Sequence, residues 1–167
     1  MTSENSYIEN GKMALLAEAK AIELAANRIG ADFNSAVDAI LKSNGKVVVT
    51  GMGKSGHIAR KTASTLSSTG TSSFFVHPSE ALHGDFGMLQ STDVLIAIAY
   101  GGETHEVIEF TKFARRIGVP IISITGKIDS SLAQLANHSL NGSIEREADP
   151  LNLAPTTSST LAMALGD

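Results

Sequence analysis

Residues 46–56 read Lys46-Val47-Val48-Val49-Thr50-Gly51-Met52-Gly53-Lys54-Ser55-Gly56. Three β-branched residues run into a glycine turn, and the turn runs into a helical pattern that begins His57-Ile58-Ala59-Arg60. A short apolar run closed by glycines is the pattern of a buried parallel strand. Glycine at 51, 53 and 56 allows backbone angles and close approaches that a Cβ would block. The turn is therefore expected to present bare N–H groups at a helix N-terminus, an anion site by geometry and by dipole. Lys54 adds a full positive charge and Ser55 a hydroxyl, so the stretch predicts a phosphate binder. Two better-known phosphate motifs fit less well. Gly51-x-Gly53-x-x-Gly56 has the dinucleotide spacing, but that fingerprint needs an acid about 20 residues on. No Asp or Glu lies between Gly51 and Ser79. A Walker loop needs glycine at position 48, which is Val48 here. The structural alternative is a tight strand-to-helix turn with a solvated lysine.

Upstream, residues 7–29 carry an apolar stripe at Ile8, Met13, Leu16, Ala19, Ile22, Ala26 and Ile29, the spacing of an amphipathic helix. Gly30 is expected to stop it, and residues 1–6 to fray. Residues 31–41 predict a second helix with Phe33, Val37, Ile40 and Leu41 inward. A helix as long as the first must be covered, and a second subunit serves as well as its own sheet.

Downstream, strands and helices alternate. Strand 46–50 leads to helix 55–67, and strand 73–76 to a polar segment at 77–89. Strand 94–99 leads to helix 104–117, strand 120–125 to a short helix at 130–136, and a weak strand follows at 139–140, extending to 144. Alternation of this kind predicts βαβ crossovers: an α/β three-layer sandwich with a mostly parallel five-stranded sheet, preceded by a long N-terminal helix. Ligands in such sheets sit beyond the carboxyl ends of the strands. The loops to watch are 51–56, 77–87, 100–106 and 126–131. At the end of the chain, residues 151–155 read as a loop and 156–160 as a capped helix start. That helix stops at Leu165-Gly166-Asp167, about two turns in, and reads as cut short.

The chain's 167 residues suffice for one domain with a core. The apolar fraction of 43% is ordinary, and no run is long enough to span a membrane. With a net charge of −4 and no basic block longer than the cluster at 112–116, no nucleic-acid partner is expected. The absence of cysteine excludes disulfides and thiolate metal sites and fits a cytoplasmic location. The polar, acid-bearing N-terminus is no signal peptide.

Four stretches now recur in a familiar order: Gly51-Met52-Gly53-Lys54-Ser55-Gly56-His57; Ser73-Phe74-Phe75-Val76-His77-Pro78-x-Glu80-Ala81-x-His83-Gly84-Asp85-x-Gly87-Met88; Gly102-Glu103-Thr104; and Leu153-Ala154-Pro155-Thr156. From about residue 10 to the end, the chain resembles the sugar isomerase (SIS) domain, specifically that of the arabinose-5-phosphate isomerase family. The resemblance implies a flavodoxin-like SIS fold and a single domain over 1–167. It implies interconversion of D-ribulose 5-phosphate and D-arabinose 5-phosphate in the cytoplasm, supplying the lipopolysaccharide sugar Kdo, by a homo-oligomer, a tetramer, with no cofactor and no metal. Most family members carry a C-terminal CBS pair, to which nothing here corresponds. Carried over by motif, the catalytic residues fall on Lys54, His83, Glu106 and Glu147. Substrate binding falls on Gly53, Ser55, Gly101, Gly102, Thr104 and Thr156. A further family histidine lies past Asp167, so this chain is expected to bind phosphosugars and to isomerise them poorly or not at all.

One departure stands out. The family's phosphate loop usually reads Ser-x-Ser-Gly-Glu-Ser/Thr; here it reads Ala99-Tyr100-Gly101-Gly102-Glu103-Thr104. Aldose–ketose isomerisation through an enediol needs a base at carbon, a proton shuttle between oxygens and a stabiliser of enediolate charge. Glu or His suits the first two tasks and Lys54 the third. Each residue also has a plainer reading: His83 as a turn cap, Glu106 as a first-turn acid favoured by the helix dipole, Glu147 as a surface charge. His83 with His57 or His138 has no diagnostic metal spacing. The rival function is a non-catalytic domain that senses a phosphosugar or a nucleotide sugar.

Overall fold

The computed structural model describes residues 4–167. Of the residues expected to fray, 1–3 lie outside the described residues, while α1 (Glu4–Ala26) already includes residues 4–6. It is followed by α2 (Ala31–Lys42), β1 (Val47–Gly51), α3 (Gly53–Ser68), β2 (Ser73–Val76) and α4 (Pro78–Leu82). A 3-10 turn at Asp85–Met88 precedes β3 (Val94–Ile98), α5 (His105–Arg116), β4 (Ile121–Thr125), α6 (Ser131–Leu135), β5 (His138–Asn141) and α7 (Thr157–Gly166). The five strands lie in the order β2-β1-β3-β4-β5, and every pairing is parallel. The sheet reverses direction of growth between β1 and β3, and loops at the carboxyl ends of these two strands frame the crevice where open α/β sheets bind ligands.

Strand alternation builds the two cores. Val47, Val49, Ile96, Ile98, Ile122 and Ile124 face one side, against Ala36 of α2, Ile58, Ala59 and Ala63 of α3, and Ala162 and Leu165 of α7. Val48, Leu95 and Ile121 face the other side, against Ala81 of α4 and Phe110 and Ala114 of α5. A third cluster joins Ala97 and Ala99 to Val107 and Ile108 of α5 and Leu132 of α6. Burial on both faces is why β1, β3 and β4 read as unbroken apolar runs. At the sheet's β2 edge, the Arg60 guanidinium lies over the Phe75 ring, 4.0 Å from its centroid.

Of the two covers expected for the apolar stripe of α1, its own sheet is not the one found. α1 packs on α7 through a face of small residues, with Ala21 and Ala25 buried and the Thr160 hydroxyl donating to Glu18 Oε2 at 3.0 Å. Its large apolar residues point outward: Tyr7 is 72% exposed, Leu16 68% and Met13 62%. In α2, Phe33 and Ile40 pack inward against the core as expected, beside the buried Ala36, while Val37 and Leu41 are exposed. On α1 small residues let the helix approach α7 closely. The first helix ends at Ala26, short of Gly30. The Arg28 N–H donates three residues back to Ala25 O, and its guanidinium donates to Ser143 Oγ and O at 2.9 and 2.8 Å, which holds the chain out of the helix. The polar segment 77–89 contains α4 and the 3-10 turn, both too short to show a helical period.

Candidate functional site

A cavity of about 220 Å³ opens where β1, β3 and β4 end. Its apolar floor includes Met52, Ile58, Ile98 and Ile124, and its polar wall includes Lys54, Ser55, Thr125, Ser158 and Ser159. Tyr100 and Gly126 complete one side.

The β1–α3 turn explains why the first of these polar groups are here. A Cβ at Gly51 would come within 2.8 Å of Ser55 O, one at Gly56 would come within 2.8 Å of Gly51 O, and Gly53 has φ +55°. Glycine at these positions lets α3 start directly on the end of the strand. The helix has 16 residues, no acid in its first turn and no side-chain cap. Gly56 N is the first amide of this turn to bond back, to Met52 O at 3.2 Å, so the N–H groups of Gly53, Lys54 and Ser55 have no acceptor among the described residues. The open donors, the dipole and the Lys54 charge point to one ligand chemistry, an anion.

The β3–α5 loop runs alongside. Gly102, with φ +68°, would place a Cβ 2.0 Å from Ser130 Oγ, so the loop is pressed onto the start of α6. The Glu103 carboxylate accepts from Ser131 N at 2.8 Å, and hydrogen bonding from Ser131 holds its pKa below the ordinary glutamate value. Thr104 is the N-cap of α5 and makes no side-chain capping bond. Gly101 has nothing within 4 Å of a Cβ position.

The third helix start is built differently. Glu147, expected as a surface charge on the plainer reading, is only 8% exposed. Its carboxylate accepts from Thr156 N at 2.9 Å, Thr156 Oγ1 at 3.2 Å, Ser158 N at 3.1 Å and the Ser158 hydroxyl. Burial pushes its pKa up, but the hydrogen bonds from Ser158 and Thr156 together outweigh this and hold it below the ordinary value. The loop beneath is equally tied. Glu147 N donates to Asn152 Oδ1 at 2.7 Å, with Asn152 at φ +56°, and Leu153 N and Ala154 N donate to Asp149 Oδ2 at 2.9 and 3.2 Å. Thr156 takes the N-cap position as expected, but the capping group is Glu147.

Of the expected residues, Lys54 and Ser55 line the cavity. Gly53 and Thr156 adjoin it in sequence, at the starts of α3 and α7. Gly101, Gly102 and Thr104 follow Tyr100 in the β3–α5 loop, off the cavity wall, and Glu106 is half-buried in the first turn of α5. His83 is exposed at the C-cap of α4 and does not line the cavity. Sequence reasoning missed Tyr100, Thr125, Gly126 and Ser158 as lining residues. The carboxyl-end rule pointed to the right loops, but it cannot say which side chains turn inward. Among the described residues, no three His, Cys, Asp or Glu gather closely enough to hold a metal.

A model of the SIS domain family matches residues 40–167. Arabinose 5-phosphate isomerase KdsD of Pseudomonas aeruginosa is 45% identical over 167 residues, covering 100% of this chain and 51% of the relative. The Escherichia coli protein of the same name is 46% identical over 161 residues, covering 96% of this chain and 49% of its own length. This chain thus spans about half the length of the curated relatives it matches. The solved structure of Escherichia coli CFT073 c3406 in complex with arabinose 5-phosphate superposes with a TM-score of 0.94 at 40% identity, covering 99% of this chain and 88% of that one.

Proposed function

The chain belongs to the SIS domain family and is related to arabinose 5-phosphate isomerases, and on that premise we propose that it interconverts D-ribulose 5-phosphate and D-arabinose 5-phosphate. The observation that carries the reading is the cavity at the carboxyl edge of the sheet with Lys54 and Ser55 on its wall at an uncapped helix start. The anion donors suit a phosphate or an enediolate, and the relative solved with arabinose 5-phosphate shares the fold over nearly the whole chain.

In this reading, a base removes the proton from C2 of the aldose, the electron pair forms the C1–C2 double bond of the enediol, and the proton returns at C1. A second group moves the hydroxyl proton from O2 to O1. Glu106 and His83 take the base and shuttle roles, and Lys54 carries the enediolate charge. Glu147 supports the site by holding α7. A carboxylate that already accepts four hydrogen bonds and sits below its ordinary pKa is a poor proton acceptor. Gly53, Gly101, Gly102, Thr104 and Thr156 supply the surrounding backbone and hydroxyl contacts to the phosphate. The product would feed Kdo synthesis in the cytoplasm.

Incubation with D-ribulose 5-phosphate in heavy water is the test. Isomerisation is expected to give D-arabinose 5-phosphate with deuterium at carbon. The sensing reading is favoured by the placement of His83 and Glu106 off the cavity wall; binding without deuterium uptake would select it. Failure to bind either pentose phosphate would remove the isomerase reading and leave only the sensing of a nucleotide sugar.

The proposed assembly is a homo-tetramer. Its support is the row of exposed apolar residues on α1, among them Tyr7, Leu16 and Met13. Light scattering is expected to give a mass of about four chains; a monomer at every concentration would sink this assignment.

A further inference from the structure

We propose that Glu103 is a positioning residue: its carboxylate, seated on the start of α6, holds the β3–α5 loop in the shape that receives the ligand's phosphate. The inference rests on the phosphosugar reading above, in which Gly101, Gly102 and Thr104 contact that phosphate, and it gives a task to the one acid between Tyr100 and Thr104.

An acid in a phosphate loop is unexpected, because a carboxylate repels the anion that the loop should hold. Its surroundings resolve the conflict. Glu103 Oε1 accepts at 2.8 Å from the N–H of Ser131, the first residue of α6, so the carboxylate meets a donor of its own chain. Two further contacts tie the same stretch to α6. Leu132 N donates to Gly102 O at 3.1 Å, and a Cβ on Gly102 would come 2.0 Å from Ser130 Oγ. Gly102 is thereby fixed. Beyond it, Glu103 makes the one side-chain hydrogen bond of residues 101–106 among the described residues. That bond carries the fixed geometry on to Thr104, the N-cap of α5. The first amide of α5 to bond back is Ile108 N, to Thr104 O at 3.0 Å, so the N–H groups of His105, Glu106 and Val107 have no acceptor among the described residues. The aim of these donors depends on how the chain enters the helix. Two opposed effects therefore meet at Glu103. Its charge repels an anion, but water and salt screen that repulsion at an exposed position. Its hydrogen bond orders the loop before the ligand arrives, which removes an ordering cost from binding. The second effect is expected to win.

The test is calorimetric titration of the 167-residue chain with D-ribulose 5-phosphate, alone and with inorganic phosphate as competitor. Glu103→Ala is expected to weaken both ligands by a similar factor, about fivefold to tenfold, the size of one hydrogen bond. Glu103→Gln keeps an acceptor and removes the charge, so it is expected to bind at least as well as the unaltered chain. Ser131→Pro removes the donor instead. The first position of a helix accepts proline, and Ser130, at φ −69° and ψ 163°, already has the extended conformation that a residue before proline adopts. This variant is expected to lose as much affinity as Glu103→Ala, and the double variant no more than either, because both changes delete the same bond. Unchanged or tighter binding in Glu103→Ala would overturn the assignment and leave the carboxylate as a repelling charge. Independent effects of the two substitutions, or a loss for the sugar phosphate without one for inorganic phosphate, would overturn it as well. Each of these results leaves the phosphosugar reading intact. Failure of the unaltered chain to bind D-ribulose 5-phosphate would remove that reading and this inference with it.

Discussion

α3 and α7 begin at the same edge of the sheet and border the same cavity, one through Lys54 and Ser55, the other through Ser158 and Ser159. Both helices bring a partial positive charge and unpaired N–H groups to that edge. At α7 a carboxylate from its own chain, Glu147, occupies the position that an anion would take. At α3 no acid is supplied, and glycines bring the bare turn onto the strand end. The pair shows how one device serves two purposes. A helix start that receives an internal anion becomes a fixed wall, whereas one left without an anion is available to a ligand.

The most severe way to break the contrast is at the open start. Lys54→Ala is expected to lower kcat/KM for pentose phosphate isomerisation by about 100- to 1,000-fold, the size of effect for loss of one preorganised electrostatic stabiliser. Thermal stability should be unchanged, because the side chain is exposed. Undiminished turnover would take Lys54 out of the site.

At the closed start the expected effect is on folding. Glu147→Ala removes four hydrogen bonds and leaves the Ser158 hydroxyl, with Ser158 buried, without its carboxylate partner. A loss of about 2–3 kcal/mol in chemical denaturation is expected. Equal stability would show that the clasp contributes nothing net. The same group predicts a pH dependence. Because its folded pKa is lowered, its stabilisation is present above the ordinary glutamate value of about 4.3 and is lost as pH falls through the lower folded value. Protection factors of the amides in residues 157–166, taken relative to intrinsic exchange at each pH, should therefore fall on acidification below that point, and Glu147→Gln should remove this dependence.

The start of α5 lies between these extremes, with Thr104 uncapped and no hydroxyl at 99 or 101. Gly101 has room for a side chain, and its φ is not positive. Restoring serine at Ala99 and Gly101 together is expected to tighten D-ribulose 5-phosphate binding by about tenfold, the gain from one good hydrogen bond to a charged group. Equal or weaker binding would mean that this loop serves a different ligand.

Most of the sheet was legible in the sequence because its strands are buried on both faces. Val47–Val49, the run from Val94 and the run from Ile121 leave few alternatives to parallel pairing, and the glycine turn after β1 marks the cavity. The N-terminal helices were less legible. Hydropathy marked Ile8, Met13 and Leu16 as a face to be covered by the sheet or by a second subunit, but it did not mark Ala21 and Ala25 as the face that meets α7. The motif singled out Glu147 in the sequence, whereas its four hydrogen bonds depend on Thr156 and Ser158, which a loop brings back to it. The departures from the serine pattern were visible at Ala99 and Gly101, and between them Tyr100 stands at the position that the pattern leaves open. That its ring rests on residue 126 is a contact across two strands, which local spacing does not encode.

The stacking of Arg60 on Phe75 bears on what this chain does in the company of other chains. β2 is an edge strand of sequence Ser-Phe-Phe-Val, short and rich in β-forming residues, the kind of segment onto which a foreign strand adds to seed aggregates. A guanidinium held over the second of its aromatic rings makes that edge costly to approach, because a strand docking there would have to strip water from a fixed positive charge. Arg60 thus sets a charge beside the edge strand, the kind of placement by which sheet edges discourage strand addition.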